Sequence, residues 1–173
     1  MIRKSNKERI LALFFDSPAK HFQLREISRL TNIGLPSAKR YAETLAKEGL
    51  VKKEKGNIFP FFTANRESRE FRLLKVAYLL LALEESGLIT QLESTYPDCI
   101  ILFGSGARGE DNEKSDIDIF VQGEEQKPDT GNLEKKLKRK TNILFEPKID
   151  ALQKELVNNL ANGIVLRGYL KVV

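Results

Sequence analysis

The sequence predicts an α+β protein with two unlike domains, a small helical domain with a hairpin and then a domain built on a central sheet. The charge changes along the chain: residues 1–66 carry 14 Lys and Arg against 6 Asp and Glu, whereas residues 67–173 carry 15 against 18. The pattern changes too, because amphipathic helices come first and short apolar segments of strand length come later. At 173 residues the chain is long enough for two such domains, each with its own core.

The first predicted domain, residues 1–65, begins with three helices. The first starts at a capping box formed by Ser5 and Glu8, the second covers residues 23–30 and the third covers residues 36–48. The apolar spacing assigns these side chains of the second and third helices to the core: Leu24, Ile27, Leu30, Ala38, Tyr41, Ala42 and Leu45. Residues 50–63 then read as a hairpin, and three helices followed by a hairpin form a winged helix-turn-helix.

Residues 5–63 resemble prokaryotic, especially archaeal, winged-helix regulators, through segments such as Lys39-Arg40-Tyr41 and Phe22-x-Leu24-Arg25-Glu26-Ile27. The resemblance implies that the third helix enters the major groove of double-stranded DNA. The side chains expected to meet DNA are Ser37, Lys39, Arg40 and Thr44 on that helix, and Lys52, Lys53 and Lys55 beside the wing, which would reach phosphates. The alternative is a module that binds only protein, with these lysines as a solvated face.

Residues 66–85 predict a linker helix that is apolar on nearly all sides. Such a helix must be covered on several sides, so it is expected to pack between the two domains and against a second copy of itself. The sequence therefore predicts a homodimer through this helix.

The segment of residues 99–121 carries the strongest chemical signal. A buried strand, Cys99 to Phe103, ends at Gly104-Ser105-Gly106, whose small residues let backbone N–H groups approach an anion. Asp116 and Asp118 then alternate with Ile117 and Ile119, which puts both carboxylates on one face of a strand. Adjacent carboxylates favour a divalent cation, and Mg²⁺ binds one or two carboxylates together with substrate phosphates. The pattern indicates phosphoryl-transfer chemistry.

Residues 86–173 resemble the minimal nucleotidyltransferases of the polymerase-beta-like superfamily, through Gly104-Ser105-x-Ala107-Arg108-Gly109 and Ser115-Asp116-x-Asp118. The resemblance implies a small domain with a mixed central sheet that uses an NTP and Mg²⁺ or Mn²⁺. It assigns the catalytic metal ligands to Asp116 and Asp118, and the nucleotide contacts to Gly104, Ser105, Arg108 and Ser115. Arg108 could equally tie the loop to its acidic neighbours Glu110 and Asp111.

The strand predicted at residues 141–145 departs from this family pattern. The family places a third carboxylate there, and this chain has Asn142 instead. An amide can coordinate a cation through its oxygen, but it cannot accept a proton as a general base. Glu146, on the same strand face about 13 Å further along, or Asp150 could substitute. Metal and nucleotide binding are therefore expected, whereas catalysis stays open.

The remaining predictions concern partners and location. If active, the protein would transfer a nucleotidyl group from an NTP to a hydroxyl acceptor that the sequence does not identify. Otherwise it would be a DNA-binding transcriptional regulator with a degenerate nucleotide-sensing domain, or an antitoxin-like partner of another protein. A cytoplasmic location without membrane contact is expected, because the longest apolar run, residues 76–83, is too short to span a bilayer. The basic run of residues 135–140 is expected to be a solvated helix face, and a helix is predicted at residues 151–162.

Overall fold

The computed structural model describes residues 5–171, so the outermost positions of the two predicted domains, residues 1–4 and 172–173, lie outside it. The chain divides into two compact units, one ending at Tyr78 and one beginning at Leu79. Within residues 5–171, every helix is too short or too polar to cross a membrane.

The first unit contains three helices and three short strands. The helices are α1 (Asn6–Asp16), α2 (Leu24–Thr31) and α3 (Leu35–Lys47), and the strands are β1 (Phe22–Gln23), β2 (Val51–Glu54) and β3 (Phe61–Ala64). The strands form an antiparallel sheet in the order β1-β3-β2, in which β1 pairs with Phe61 and Phe62, the residues of β3 next to the hairpin loop. This arrangement confirms the predicted winged helix-turn-helix.

Local signals explain where these helices begin and end. Ser5 and Glu8 form the predicted capping box, with each side chain bonded to the backbone N–H of the other residue. The core is centred on Phe14, Ile27 and Leu45, which are fully buried. The prediction for Leu30 was wrong, since its side chain is 46% exposed. In the short helix α2, Ile27 and the residue four positions later face the core, which leaves Leu30 on the flank.

Helix α4 (Arg69–Ser86) crosses the boundary between the units. Phe71 and Leu83 are fully buried, but Leu73 and Leu81 are 59% and 56% exposed. The expectation that this helix is covered on several sides is therefore not met within a single chain.

The second unit is organised around a four-stranded sheet with the order β6-β5-β4-β7. Its strands are β4 (Cys99–Phe103), β5 (Ile117–Gln122), β6 (Thr141–Phe145) and β7 (Ile164–Gly168), and its helices are α5 (Leu88–Glu93), α6 (Gly104–Arg108), α7 (Gly131–Leu137) and α8 (Lys154–Ala161). Strand β4 is antiparallel to β5 and β7, whereas β5 and β6 are parallel, so the predicted mixed sheet is confirmed. The helix predicted over residues 151–162 is present as α8, which begins only at Lys154, after a 3₁₀ turn at Ile149–Ala151.

Both faces of the central strands are covered by apolar side chains. Ile100, Leu102 and Ile119 belong to one core cluster, and Ile101 and Phe120 belong to the cluster on the other face. Because side chains alternate along a strand, each of these strands contributes to both clusters. Polar side chains of β4 and β5 are therefore confined to the strand ends, and Asp118 lies at such an end.

Candidate nucleotide site and DNA-binding surface

Strand register brings together three segments that are far apart in the sequence. Asp118 on β5 pairs with Phe103 at the end of β4 and, on its other side, with Asn142 on β6. Gly104 follows Phe103 directly, so the glycine turn, the carboxylate and the amide meet at one edge of the sheet. The central strands are buried, and their pairing sets the positions of these groups along the sheet.

The backbone at Gly104 lies directly against the carboxylate of Asp118. The φ angle of Gly104 is +71°, in the left-handed region that favours glycine, and a Cβ atom there would lie 2.5 Å from Asp118 Oδ2. Ser105 follows in the first turn of α6, and the next residue, Gly106, is buried. Position 104 therefore requires glycine, both for its backbone conformation and for its contact with Asp118.

Asn142 contacts the same carboxylate from the neighbouring strand. Its Nδ2 donates a hydrogen bond of 3.1 Å to Asp118 Oδ1. Glu146 is not brought to this position, because it follows Phe145, whose partner on β5 is Val121 near the opposite end of the strand. Within residues 5–171, His, Cys, Asp and Glu nowhere form a cluster of three that could hold a metal ion. Asn142 therefore lies beside Asp118, on the strand where the family resemblance predicts a third carboxylate.

Ser115 and Asp116 lie in the connection just before β5, and their conformation is held by hydrogen bonds. Ser115 Oγ accepts a hydrogen bond of 3.0 Å from the N–H of Asn112, and this bond closes the loop. The side chain of Asp116 is exposed, whereas that of Asp118 is half-buried. The side chain of Asp116 is thus accessible to solvent and ligands, and the hydrogen-bonded loop before β5 fixes its backbone.

Arg139 is a structural residue of the site that the sequence interpretation missed. Its guanidinium donates to Asp111 Oδ2 at 2.6 Å, to the main-chain oxygen of Ser115 at 2.9 Å and to that of Asp116 at 3.2 Å. The side chains of Arg139 and Asp111 are only 15% and 3% exposed. The expectation that residues 135–140 form a merely solvated face is therefore wrong at Arg139. A buried pair separated by 28 residues leaves no periodic signal in the sequence.

Arg108 and Glu134 have more local roles. Arg108 Nε donates to Glu110 Oε2 at 2.9 Å, so one of the two acidic partners considered for it is observed. Both side chains of that pair are about half exposed, and such a pair contributes little to stability. Hydrogen bonds from the N–H and hydroxyl of Thr141 lower the pKa of Glu134, which links α7 to the start of β6.

The surface of α3 carries the predicted DNA-contacting groups. Lys39 and Arg40 are exposed, and the Arg40 guanidinium lies 4.8 Å from the centroid of the Tyr41 ring. Ser37 and Thr44 are half-buried, and the Thr44 hydroxyl donates to the main-chain oxygen of Arg40 at 2.9 Å. Lys39 and Arg40 are therefore the members of this set most accessible to a ligand.

The lysines beside the wing differ in their surroundings. Lys52 pairs with Glu67 at 2.6 Å, and Lys53 pairs with Glu43 on α3 at 3.2 Å. The contact with Lys52 lowers the pKa of Glu67. Lys55 is exposed at the end of the strand segment. Exposed ion pairs of this kind are worth about 0–1 kcal/mol, so exchanging a glutamate for a phosphate would cost little.

Comparisons with known families agree with this division of the chain. Residues 9–55 match the family model of the IclR helix-turn-helix domain, and residues 88–168 match the model named Polymerase beta, Nucleotidyltransferase. The fold and the matches define a helix-turn-helix domain, the class that binds DNA, joined to a domain with the nucleotidyltransferase fold. The chain therefore contains a region that matches a helix-turn-helix domain, followed by a region that matches a polymerase-beta-type nucleotidyltransferase domain. Neither a curated protein nor a solved structure matches it significantly.

Proposed function

We propose that the second unit binds an NTP together with Mg²⁺ or Mn²⁺ and transfers the nucleotidyl group to a hydroxyl, while the first unit binds double-stranded DNA. The observation that carries the proposal is the glycine turn at Gly104, packed against Asp118 so closely that a side chain would not fit. A turn of this kind presents backbone N–H groups to an anion next to a carboxylate suited to a cation. These activities would place the protein in the cytoplasm.

The residues present fit a divalent metal that arrives with its nucleotide. Asp116 and Asp118 supply carboxylate oxygens, which are ligands that Mg²⁺ prefers, and Mg²⁺ usually completes its coordination with water and substrate phosphates. When bound, the metal would neutralise charge on the triphosphate during transfer. The backbone at Gly104 and Ser105 would contact the phosphates, and Ser115 and Arg108 would lie at their periphery.

The first test measures binding through the thermal stability of the full-length protein. Adding NTP with Mg²⁺ should raise the melting temperature, because a ligand that binds only the folded state stabilises it. Asp118→Asn should abolish the shift, whereas the control Glu155→Gln, at an exposed carboxylate in the first turn of α8, should retain it. The absence of any shift in the wild type at millimolar NTP and Mg²⁺ would refute the nucleotide site.

A second candidate function is a DNA-binding regulator whose second unit senses nucleotide without turnover. Asn142 favours it, because an amide that donates to Asp118 cannot also take the proton of an attacking hydroxyl. Incubation with labelled NTP, Mg²⁺ and candidate acceptors separates the two functions. Label transfer that disappears in Asp116→Ala indicates an enzyme, whereas nucleotide binding without transfer indicates a sensor.

We also propose a homodimer through α4, because Leu73, Leu74 and Leu81 remain exposed on this helix. A two-fold dimer would bury apolar side chains and would present two recognition helices to DNA. Light scattering should give twice the chain mass at micromolar concentration, and Leu81→Glu should return the monomer. A monomeric wild type would remove the homodimer and leave a different protein as the partner of this helix.

A further inference from the structure

The loop at the tip of the wing exposes two large apolar side chains. This loop, residues 55–60, is closed by the pairing of Glu54 on β2 with Phe61 on β3. Ile58 is 83% exposed and Phe59 is 56% exposed. Within residues 5–171, no other large aliphatic side chain is as exposed as Ile58. Adjacent exposed apolar side chains mark a candidate interaction site, and nothing in the contacts of the wing lysines explains them.

The wing-tip loop is compact, and its base is supported by an aromatic stack. Gly56 lies so close to the main-chain oxygen of Phe59 that a Cβ atom at Gly56 would collide with it. The same Cβ atom would lie 3.3 Å from the ring of Phe61. That ring in turn stacks on the imidazole of His21, with 4.6 Å between the centroids and 2° between the ring planes. Ile58 is therefore presented at the end of a loop that folds back on itself.

Cations lie beside the apolar tip. The guanidinium of Arg25 on α2 lies 6.0 Å from the centroid of the Phe59 ring, and Lys55 is exposed at the start of the loop. Within residues 5–171, neither Arg25 nor Lys55 forms an ion pair. Lys53 on β2 pairs with Glu43 on α3, so the wing adjoins the helix that carries the predicted DNA contacts. Apolar side chains with cations beside them fit a duplex, whose stacked bases lie between two rows of phosphates.

We infer that Ile58 inserts as an apolar wedge between two base pairs of the duplex that the first unit binds, and that this insertion bends the DNA. The inference rests on the proposed DNA binding and adds a deformation of the DNA to it. An aliphatic or aromatic side chain that enters the minor groove partly unstacks one base step and kinks the duplex. Phe59 would pack against the sugars beside that step, and Arg25 and Lys55 would contact the phosphates.

The wedge would also contribute to sequence preference. Pyrimidine–purine steps such as TA unstack more easily than other steps, so insertion there costs the least deformation energy. The selected duplexes should therefore share such a step at a position that the side chains of α3 do not contact. This preference would arise from the deformability of the DNA, whereas a hydrogen bond from Arg40 to a base edge would read the base itself.

The test measures unstacking and bending of a duplex, selected from random sequences, when the full-length protein binds it. 2-Aminopurine placed at successive base steps reports unstacking, because its fluorescence rises when a neighbouring base no longer stacks on it. Energy transfer between dyes at the two ends of the duplex reports the bend. We expect a fluorescence rise confined to one step and a bend of tens of degrees, as apolar wedges produce.

Variants of the tip separate the wedge from its charged neighbours. Ile58→Ser should remove both signals and weaken binding about tenfold, because the burial of one aliphatic side chain is lost. Its salt dependence should equal that of the wild type, whereas Lys55→Ala should keep the unstacking and lower the salt slope by about 0.9. Ile58→Leu should keep the bend. The matched control is Leu30→Ser, at an aliphatic side chain of α2 that is 46% exposed, and it should keep both signals.

Several outcomes overturn the inference. Binding of the selected duplex by the wild type without unstacking or bending removes the wedge and leaves the proposed DNA binding intact. Retention of both signals by Ile58→Ser also removes it. A third contrary outcome is a lower mass of Ile58→Ser than of the wild type in light scattering, which would show that the tip joins two copies of the chain. If no duplex binds the wild type, the proposed function of the first unit fails, and the wedge fails with it.

Discussion

The two units build their candidate binding surfaces from different kinds of contact. In the first unit, Ser37, Lys39, Arg40 and Thr44 lie on the single helix α3, so one helical period positions all of them. In the second unit, the turn after β4, Asp118 on β5 and Asn142 on β6 meet only because the strands pair in one register. The first surface is local in sequence, whereas the second depends on the folded sheet.

The two units also differ in how deeply their ion pairs are buried. The described ion pairs of the first unit lie at its surface, as in Lys7–Glu48, where both side chains are more than a third exposed. The second unit contains the buried pair Arg139–Asp111, which also holds the backbone beside Asp116. A binding surface formed by one helix should tolerate the loss of one surface ion pair. A site assembled by strand register should instead depend on each contact that holds its segments together. The following predictions test this difference, beginning with the largest expected effect.

Asn142→Asp should raise nucleotidyl transfer by about 10²–10⁴-fold, the usual contribution of a general base. The new carboxylate would lie beside Asp118, where the amide of Asn142 now donates a hydrogen bond. The measurement is the initial rate of label transfer from NTP in the presence of Mg²⁺. If the wild type transfers the label efficiently and both Glu146→Ala and Asp150→Ala still do so, position 142 is not the site of the third catalytic carboxylate.

Arg139→Ala should lower the free energy of unfolding by about 3–5 kcal/mol, because it removes the guanidinium that pairs with the buried carboxylate of Asp111. Lys7→Ala, which removes a comparable but exposed pair, should cost about 0–1 kcal/mol. Chemical denaturation measures both values. A similar small loss for both variants would show that the buried pair is no more important than the surface pair, and the contrast between the units would fail.

Gly104→Ala should destabilise the protein by about 1–3 kcal/mol, because alanine at positive φ is strained and its Cβ would displace the carboxylate of Asp118. It should also abolish the thermal shift with NTP and Mg²⁺. The matched control is Gly34→Ala in the first unit, where an added Cβ has no neighbour within 4 Å. If Gly104→Ala retains the thermal shift, the turn does not form the phosphate contact.

Arg40→Ala should weaken binding to a selected duplex by about 1–3 kcal/mol and relax its sequence preference, as expected when a contact with a base is lost. Lys53→Ala should have the smaller effect: binding should weaken about equally for all duplexes, and the salt slope should fall by about 0.9, as for one phosphate contact. Titrations of selected and random duplexes at several salt concentrations measure both effects. If no duplex binds above background at low salt, the first unit is a protein-binding module.

Much of the fold could be predicted because its signals are short-range. The capping box at Ser5 and Glu8, the order of three helices and a hairpin, and the strand from Cys99 to Phe103 all appear in the structure as the sequence indicates. The errors occur where a short segment has more than one way to turn its apolar side chains inward, as for Leu30 in the two-turn helix α2. The functional roles assigned to Asp116 and Asp118 remain predictions.

By itself, the sequence determined which residue types the candidate site contains and where the helices and strands lie, because helical periodicity, strand alternation and turn residues act over a few positions. Only the tertiary structure decided that Gly104 lies against Asp118, that Asn142 binds the same carboxylate across 24 residues, and that Arg139 holds the loop before β5 through a partner 28 residues away. These contacts depend on strand register and on burial. Both are set by the packing of the whole sheet, and a local pattern does not encode them.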